Sequence, residues 1–231
     1  MTESQRDVIV IGGGIIGLAA ALEITVRFPR LRLLVLEKER RVGQHQSGHN
    51  SGVIHSGVYY RPGSLKAKLC VEGARAMIQF CREHGIAHQV CGKVIVATSD
   101  AELPRLEELR QRGEANGIDG LRFLVPEELH DIEPYANGIR ALAVPSTGIT
   151  DYAKVCDKFA ELIVARGEIT LSTKVTGLKR NPQEVIVQTD RGEFVAKAII
   201  NCAGLFSDRI AKMAGDKPDL AIFPFAANIT I

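Results

Sequence analysis

Val8-Ile9-Val10-Ile11-Gly12-Gly13-Gly14-Ile15-Ile16-Gly17 decides how this chain begins to fold. Val8–Ile11 is a continuous apolar run, as expected of a strand covered on both faces. Gly12 permits a tight turn, Gly14 lets the backbone come close to a pyrophosphate, and Gly17 lets a helix pack closely on the strand. The helix is predicted over Ile15–Arg27, with Leu18, Leu22 and Val26 on one side. Its first amides and positive dipole end would meet the phosphates. Leu33–Leu36 reads as a second buried strand. It ends in Glu37, a carboxylate able to accept ribose hydroxyls and to repel a 2′-phosphate. Together these segments make a parallel, right-handed βαβ unit.

Working outward, Arg40–Tyr60 is rich in Gly, Ser, His and Asn without an apolar period, and is longer than an ordinary connection, which marks a functional loop. Ser64 caps a predicted helix carrying Leu65, Leu69, Gly73, Met77 and Phe80 and stopping at Gly85. Strands are expected at Lys93–Thr98, Arg122–Val125 and Ala141–Val144, with a charged helix over Asp100–Asn116 and a short Pro126-initiated helical turn. An amphipathic helix follows at Thr150–Arg166. Further strands are predicted at Thr170–Thr176, Glu184–Thr189, Glu193–Val195 and Ala198–Asn201, the last leading to Gly204.

The 231 residues are 45% hydrophobic and 24% charged, ordinary for a globular protein with a sizeable core. A net charge of +2 without long basic runs argues against nucleic acid as a partner. The five cysteines have no CxxC spacing, and with the histidines they form no metal-ligand pattern, so thiols are expected inert and no metal is expected. The apolar run after Met1–Asp7 is interrupted by glycines and too short to span a membrane; neither a signal nor a transit peptide is read there. The expected location is cytoplasmic, with peripheral attachment to the inner membrane as an alternative.

In a plain NAD dehydrogenase, further strand–helix units follow the acidic residue. Here a long Ser/His/Asn/Gly loop follows, then a segment of different character, then short strands and Ala203-Gly204. That interruption points to FAD. The stretch Ser47-Gly48-His49-Asn50-Ser51-Gly52-Val53-Ile54-His55-Ser56-Gly57-Val58-Tyr59-Tyr60, taken with Gly12–Gly17 and Asn201-Cys202-Ala203-Gly204, resembles the D-amino-acid-oxidase-like FAD-dependent oxidoreductases. More narrowly it resembles their L-2-hydroxyglutarate-oxidising branch, over about residues 5 to 220.

The resemblance implies an α/β fold: a Rossmann-like, glutathione-reductase-type FAD domain split into 5–85 and 150–220, interrupted by an incomplete α+β substrate domain at 86–149. It implies hydride transfer from (S)-2-hydroxyglutarate, a small dicarboxylate 2-hydroxy acid, to flavin. The product is 2-oxoglutarate, and the electrons pass on to a quinone, another acceptor or O2. The cofactor positions it carries over are Gly12, Gly14, Ile16 and Gly17 at the phosphate turn, Glu37 and Lys38 at the ribose, Ser47, Gly48, His49, Asn50, Ser51, Gly52 and Val53 along the phosphates and flavin, Val175 at the adenine, and Ala203 and Gly204 at a second turn. Where the family continues with more substrate-domain strands and a closing flavin loop, 221–231 reads as an atypical tail, and the chain as given is expected to be catalytically poor.

The reaction needs a base for the hydroxyl proton and cations for the carboxylates. His55 is the candidate base among the residues present, against a structural histidine within the loop. Arg61 and Lys66 are candidate carboxylate ligands, against a solvated helix start. Tyr60 either hydrogen-bonds a carboxylate or packs. His49 contacts the cofactor, or is joined to it covalently as in some members of the wider family. Two alternatives stand beside this reading: an amine- or glycerol-3-phosphate-oxidising relative, and a non-catalytic FAD-binding module.

Overall fold

The computed structural model describes residues 5–223. Along the chain run β1 (Arg6–Ile11), α1 (Ile15–Arg27), β2 (Leu33–Leu36), β3 (Val53–Ile54), α2 (Leu65–Glu83), β4 (His88–Gln89), β5 (Lys93–Ala97), α3 (Leu103–Ala115), β6 (Arg122–Leu124), α4 (Pro126–Ile132), β7 (Arg140–Val144), β8 (Gly148–Thr150), α5 (Tyr152–Val164), β9 (Glu168–Thr170), β10 (Val175–Arg180), β11 (Val185–Thr189), β12 (Gly192–Asn201) and α6 (Ser207–Met213). They form two compact units. One runs to Asn50 and resumes at Tyr152; the other is Ser51–Asp151. The division therefore falls at Asn50/Ser51, before α2, and not at residue 85.

The first unit is built on a six-stranded sheet in the order β10-β11-β12-β1-β2-β9. β1 pairs in parallel with both β2 and β12, and β2 with β9, which gives the α/β architecture expected from the opening βαβ unit. Ile9, Ile11, Leu34 and Leu36 alternate onto one face and pack with Val175, Val187, Ala196 and Ile210. Val10, Leu33 and Val35 are equally buried on the other face.

Two strand assignments change here. Thr170–Thr176 is not one strand: β9 lies at one edge of the sheet and β10 at the other, and residues 171–174 are the crossing. Ser172 takes φ 52°; its own amide donates to the Glu39 carbonyl and that of Thr173 to the Glu37 carbonyl, which docks the crossing on β2's end. Conversely, Glu193–Val195 and Ala198–Asn201 are one strand, β12. It pairs antiparallel with β11 up to Ala196 and parallel with β1 from Ala196 onward.

The buried stripe of α1 is also rotated from the expected one. Gly17, Leu18, Ala21 and Thr25 face inward while Val26 is exposed, because small residues permit the closest approach of the helix. The same substitution of small for large occurs in α2. Its buried residues are Ala67 and Cys81, and Leu65 and Leu69 are exposed.

The second unit holds two antiparallel three-stranded sheets, β3-β8-β4 and β5-β7-β6. The two-residue strands β3 and β4 carry too few residues to show a period, and the sequence gives no sign of them. Val58, Leu106, Leu109, Ile118, Leu142 and Val144 form its main core. Thr150, expected to start a helix, closes β8 instead, with its hydroxyl donating to the Ala87 carbonyl at 3.0 Å. Ser64 caps α2 as expected, accepting from the Ala67 amide at 3.2 Å. Residues 224–231, most of the tail singled out in the sequence, lie outside the described residues.

Candidate active site

The glycine turn is fixed by backbone contacts. A Cβ on Gly12, at φ +112°, would stand 2.3 Å from the Cys202 carbonyl oxygen, and one on Gly17 would stand 2.0 Å from the Gly12 oxygen. The turn is thus wedged between α1 and the end of β12, and only glycine fits. Gly14 precedes α1 in extended conformation, with no side chain capping the helix from that position and no acidic residue in the first turn. The Ser47 hydroxyl, 32 positions further on, accepts from the Ile15 amide at 2.9 Å and takes up the capping role.

Glu37 is buried, and both of its carboxylate oxygens are held by backbone amides. Oε2 accepts from Gly13 N–H at 2.6 Å and Oε1 from Glu39 N–H at 2.8 Å. Each oxygen keeps a further lone pair for a hydroxyl. A Cβ on Gly13 would lie 3.0–3.1 Å from Glu37's own side chain, so this glycine is needed for the carboxylate to reach the turn. Beside it, Lys38 pairs with Glu39, and His45 Nε2 lies 2.9 Å from both Lys38 Nζ and Glu39 Oε1. Lys38, and then His45, hold the Glu39 carboxyl below its usual range.

These groups line a cavity of about 520 Å³ within the first unit. Of the positions expected at the cofactor, Gly12, Gly14, Glu37, Lys38, Ser47, Val175, Ala203 and Gly204 line it. Gly17 acts behind it as a packing position. Ile16 is exposed on α1, and Gly48, His49 and Asn50 lie outside the lining. Their loop is internally tied: His49 Nδ1 sits 3.1 Å from the His45 carbonyl, and Asn50 donates to the carbonyls of Gln46 and Ser47.

The sequence reading missed Thr173, Lys174, Asp190, Phe206 and Arg209, all in the lining. Asp190 shows in the sequence only as a turn residue. In the structure its carboxylate accepts from the Lys174 amide at 2.9 Å and fixes the approach to Val175. Phe206 carries Lys38 Nζ at 5.0 Å and the Arg209 guanidinium at 4.7 Å from its ring centre. Cys202 is half-buried in the lining, and burial pushes its thiol pKa up, as for an unreactive cysteine.

Ser51, Gly52, Val53, His55, Tyr60, Arg61 and Lys66 all belong to the second unit. Gly52, at φ +69°, accepts the Thr150 amide on its carbonyl at 2.8 Å, and this starts the β3–β8 pairing with Val53. His55 is exposed, and its carbonyl accepts from the Cys70 thiol at 3.3 Å. Asn116 donates to the carbonyls of Gly57 and Tyr60 at 3.1 and 2.9 Å and so pins the following turn. The structure brings Lys66 over the Tyr60 ring at 4.7 Å. Arg61 is exposed, and its carbonyl accepts from Ser64. Among the described residues no group of three or more His, Cys, Asp or Glu is placed to hold a metal, and no helix is long and apolar enough to cross a membrane.

A glycine-lined cradle, a helix N-terminus without acidic residues and a buried carboxylate at the end of β2 are features that fit the ADP part of a dinucleotide. The family model for FAD dependent oxidoreductases matches residues 7–230. The chain belongs to that family. FAD is therefore its cofactor, and the residues that fit its ADP half are those of the cradle and Glu37. The chain is 46% identical over 221 residues to an L-2-hydroxyglutarate dehydrogenase of Indibacter alkaliphilus, covering 95% of this chain and 55% of that protein. It is 43% identical to the mitochondrial L-2-hydroxyglutarate dehydrogenase of Homo sapiens, covering 97% and 51%. The chain thus spans about half the length of these relatives. Among solved structures, the L-alpha-glycerophosphate oxidase of Mycoplasma pneumoniae with FAD bound superposes at a TM-score of 0.85 with 31% identity, over 91% of this chain and 57% of that one.

Proposed function

We propose that this chain carries the cofactor-binding part of an FAD-dependent enzyme that oxidises L-2-hydroxyglutarate to 2-oxoglutarate. The observation that carries the reading is the 40–46% identity to proteins named for that substrate, maintained over nearly the whole chain. FAD, when bound, supplies the acceptor for the hydride leaving the carbinol carbon. His55 takes the proton of the carbinol hydroxyl as the C–O bond becomes a carbonyl. Its exposure leaves the ring free to meet a substrate, and the Cys70–His55 hydrogen bond anchors its backbone without engaging the ring. Lys66 and Tyr60, with Arg61 beside them, bind carboxylate. Gly12, Gly14 and Ser47 receive the pyrophosphate, Glu37 the ribose, and Val175 with its backbone the adenine. The electrons then pass to a quinone or to O2, with a peripheral seat on a membrane as the matching location for the quinone route.

The glycerophosphate oxidase likeness favours one second reading, oxidation of a phosphorylated polyol. Absorption spectra of the purified flavoprotein, taken anaerobically before and after L-2-hydroxyglutarate, glycerol 3-phosphate and glycine, separate the two. Bleaching by L-2-hydroxyglutarate alone is the expected result. Bleaching by glycerol 3-phosphate instead would overturn the assignment. A His55→Ala variant should lower the rate of flavin reduction by about 10²–10⁴ with unchanged FAD content. A normal rate would make His55 structural.

A further inference from the structure

In the second unit two lysines lie close to one thiol. Lys66 and Cys70 are four residues apart on α2 and share a face of that helix, while Lys93 opens β5. Lys93 Nζ stands 4.1 Å from the centre of the Tyr59 ring, and Lys66 Nζ stands 4.7 Å from that of Tyr60. The Cys70 thiol donates to the His55 carbonyl, so α2, which carries Lys66, is tied to the segment that carries the candidate base. Among the described residues no carboxylate pairs with either lysine. The contrast is α3, where Arg105, Arg110 and Arg112 are each bridged to a glutamate of the same helix.

Lys93 is half-buried, unlike a solvated surface lysine. Burial lowers its pKa, opposed by the weaker pull of the Cys70 thiol, and among the described residues no carboxylate pairs with it. Burial is also the main influence on Cys70, raising its pKa, while Lys93 and Lys66 both pull it down. The two cations therefore act on a common point. A desolvated ammonium without a counter-charge is costly unless something stabilises it. The Tyr59 ring supplies part of that, and an anion would supply the rest.

We propose that Lys93 and Lys66, flanked by Tyr59 and Tyr60, form a carboxylate receptor that selects a dicarboxylate over a monocarboxylate 2-hydroxy acid. Lys93 is the new member of the set and the specificity-determining one. The proposal rests on the reading of this chain as a 2-hydroxy-acid oxidoreductase with His55 as base, and it assigns one carboxylate of that substrate to a place in the second unit. Both lysines present compact charges with rotatable donors, suited to a carboxylate whose distance from the carbinol carbon varies with the chain between them.

The test uses the whole chain with lysine side chains isotopically labelled for NMR, titrated with glutarate, and with butyrate as the monocarboxylate control. Glutarate should shift the Lys93 ε signals saturably, while butyrate binds far more weakly. Lys93→Gln should weaken glutarate about tenfold or more, the loss of one charge-assisted hydrogen bond, and Lys93→Arg should restore part of it. Lys66→Gln, at an exposed helix start that does not bear on folding, should weaken glutarate by a smaller factor. Equal glutarate affinity in wild type and Lys93→Gln, or equal binding of butyrate, would overturn the receptor. Flavin bleaching by L-2-hydroxyglutarate in the same preparation separates the two claims. Glutarate binding that depends on Lys93, with bleaching by glycerol 3-phosphate in place of L-2-hydroxyglutarate, keeps the receptor and sinks the reaction, and bleaching by L-2-hydroxyglutarate with unaltered substrate dependence in Lys93→Gln does the reverse.

Discussion

A carbon added to Gly17 in the first unit would stand 2.0 Å from a backbone oxygen; one added to Gly63 or Gly73 in the second would meet nothing within 4 Å. The two regions carry function by different means. At the cofactor turn the chemistry is done by main-chain amides and by the absence of side chains, so a wrong residue is excluded sterically. Around Tyr59, Lys66 and Lys93 it is done by exposed or half-exposed side chains. Mutations that add a carbon against backbone should therefore damage folding in the first region, and changes at Tyr59, Lys66 and Lys93 should affect binding alone.

The largest effect is expected at Gly17. Val at this position places carbon against the Gly12 carbonyl and the Cys202 side chain, and neither can retreat without opening the turn. The cost should exceed about 3 kcal/mol, beyond ordinary overpacking because the obstacle is backbone. It would appear as a large fall in melting temperature or in soluble yield. Gly14→Val is the contrasting case. There the added carbon meets only the Ser47 hydroxyl, at 3.4 Å, and Gly14 already has the extended backbone that valine favours. The apoprotein should keep its stability within about 1 kcal/mol yet lose FAD, measured as flavin absorbance per chain. A folded Gly14→Val with full flavin content would show that the pyrophosphate does not approach here.

Glu37→Gln comes next. The carboxylate accepts one backbone amide on each oxygen, and an amide side chain can accept on only one and must turn an NH2 toward the other donor. A loss of about 1–3 kcal/mol is expected, seen in thermal melts without added cofactor. The comparable charge-neutralising change in the other region, Lys66→Gln, should leave the melting temperature unchanged. Ser47→Ala is smaller again, at about 1 kcal/mol, because it removes the acceptor that caps the Ile15 amide. If Ser47→Ala proved as damaging as Gly17→Val, the distinction between backbone-built and side-chain-built function would fail.

That distinction also explains what the sequence makes legible. Gly12, Gly14, Gly17 and Glu37 can be read because their spacing follows from the strand–turn–helix geometry itself, and a short apolar run such as Leu33–Leu36 allows few placements. The crossing between β9 and β10 is invisible in Thr170–Thr176, because β-propensity does not say that two strands lie at opposite edges of a sheet. Gly192–Asn201 reads as two strands because it changes partner and pairing direction at Ala196. The exposed Leu65–Leu69 face of α2 misleads for a related reason: apolar periodicity names a face, and here the packed side runs through Ala67 and Cys81. Phe206, Arg209 and Lys93 carry no motif at all. Phe206 and Lys93 gain meaning only from neighbours distant in sequence, Lys38 and Tyr59, and Arg209 through the Phe206 ring that Lys38 also meets.

The smallest effect is expected where the first unit resembles the second, at the start of β1, where side-chain charges replace backbone contacts. Asp7 accepts from the Arg32 backbone amide at 2.9 Å and from its guanidinium at 3.1 and 3.3 Å, while Lys197 Nζ stands 2.9 Å from its other side. Arg32, then Lys197, hold its pKa well below the usual carboxylate range against a smaller opposing effect of burial. A folded pKa below the unfolded one means the native state favours the ionised form. The stabilisation is complete above the unfolded value, about 3.9, and drains away as pH falls from there toward the folded value. Melting temperature should therefore decline between about pH 5 and the acid limit of folding, and Asp7→Asn should flatten that decline while leaving Glu39's contribution. Because Arg32 and Lys197 are half-exposed, added salt should shrink the difference between wild type and variant. A difference that ignores ionic strength would place this pair with the buried, backbone-tied carboxylate of Glu37 and erase the contrast between the two ends of β1.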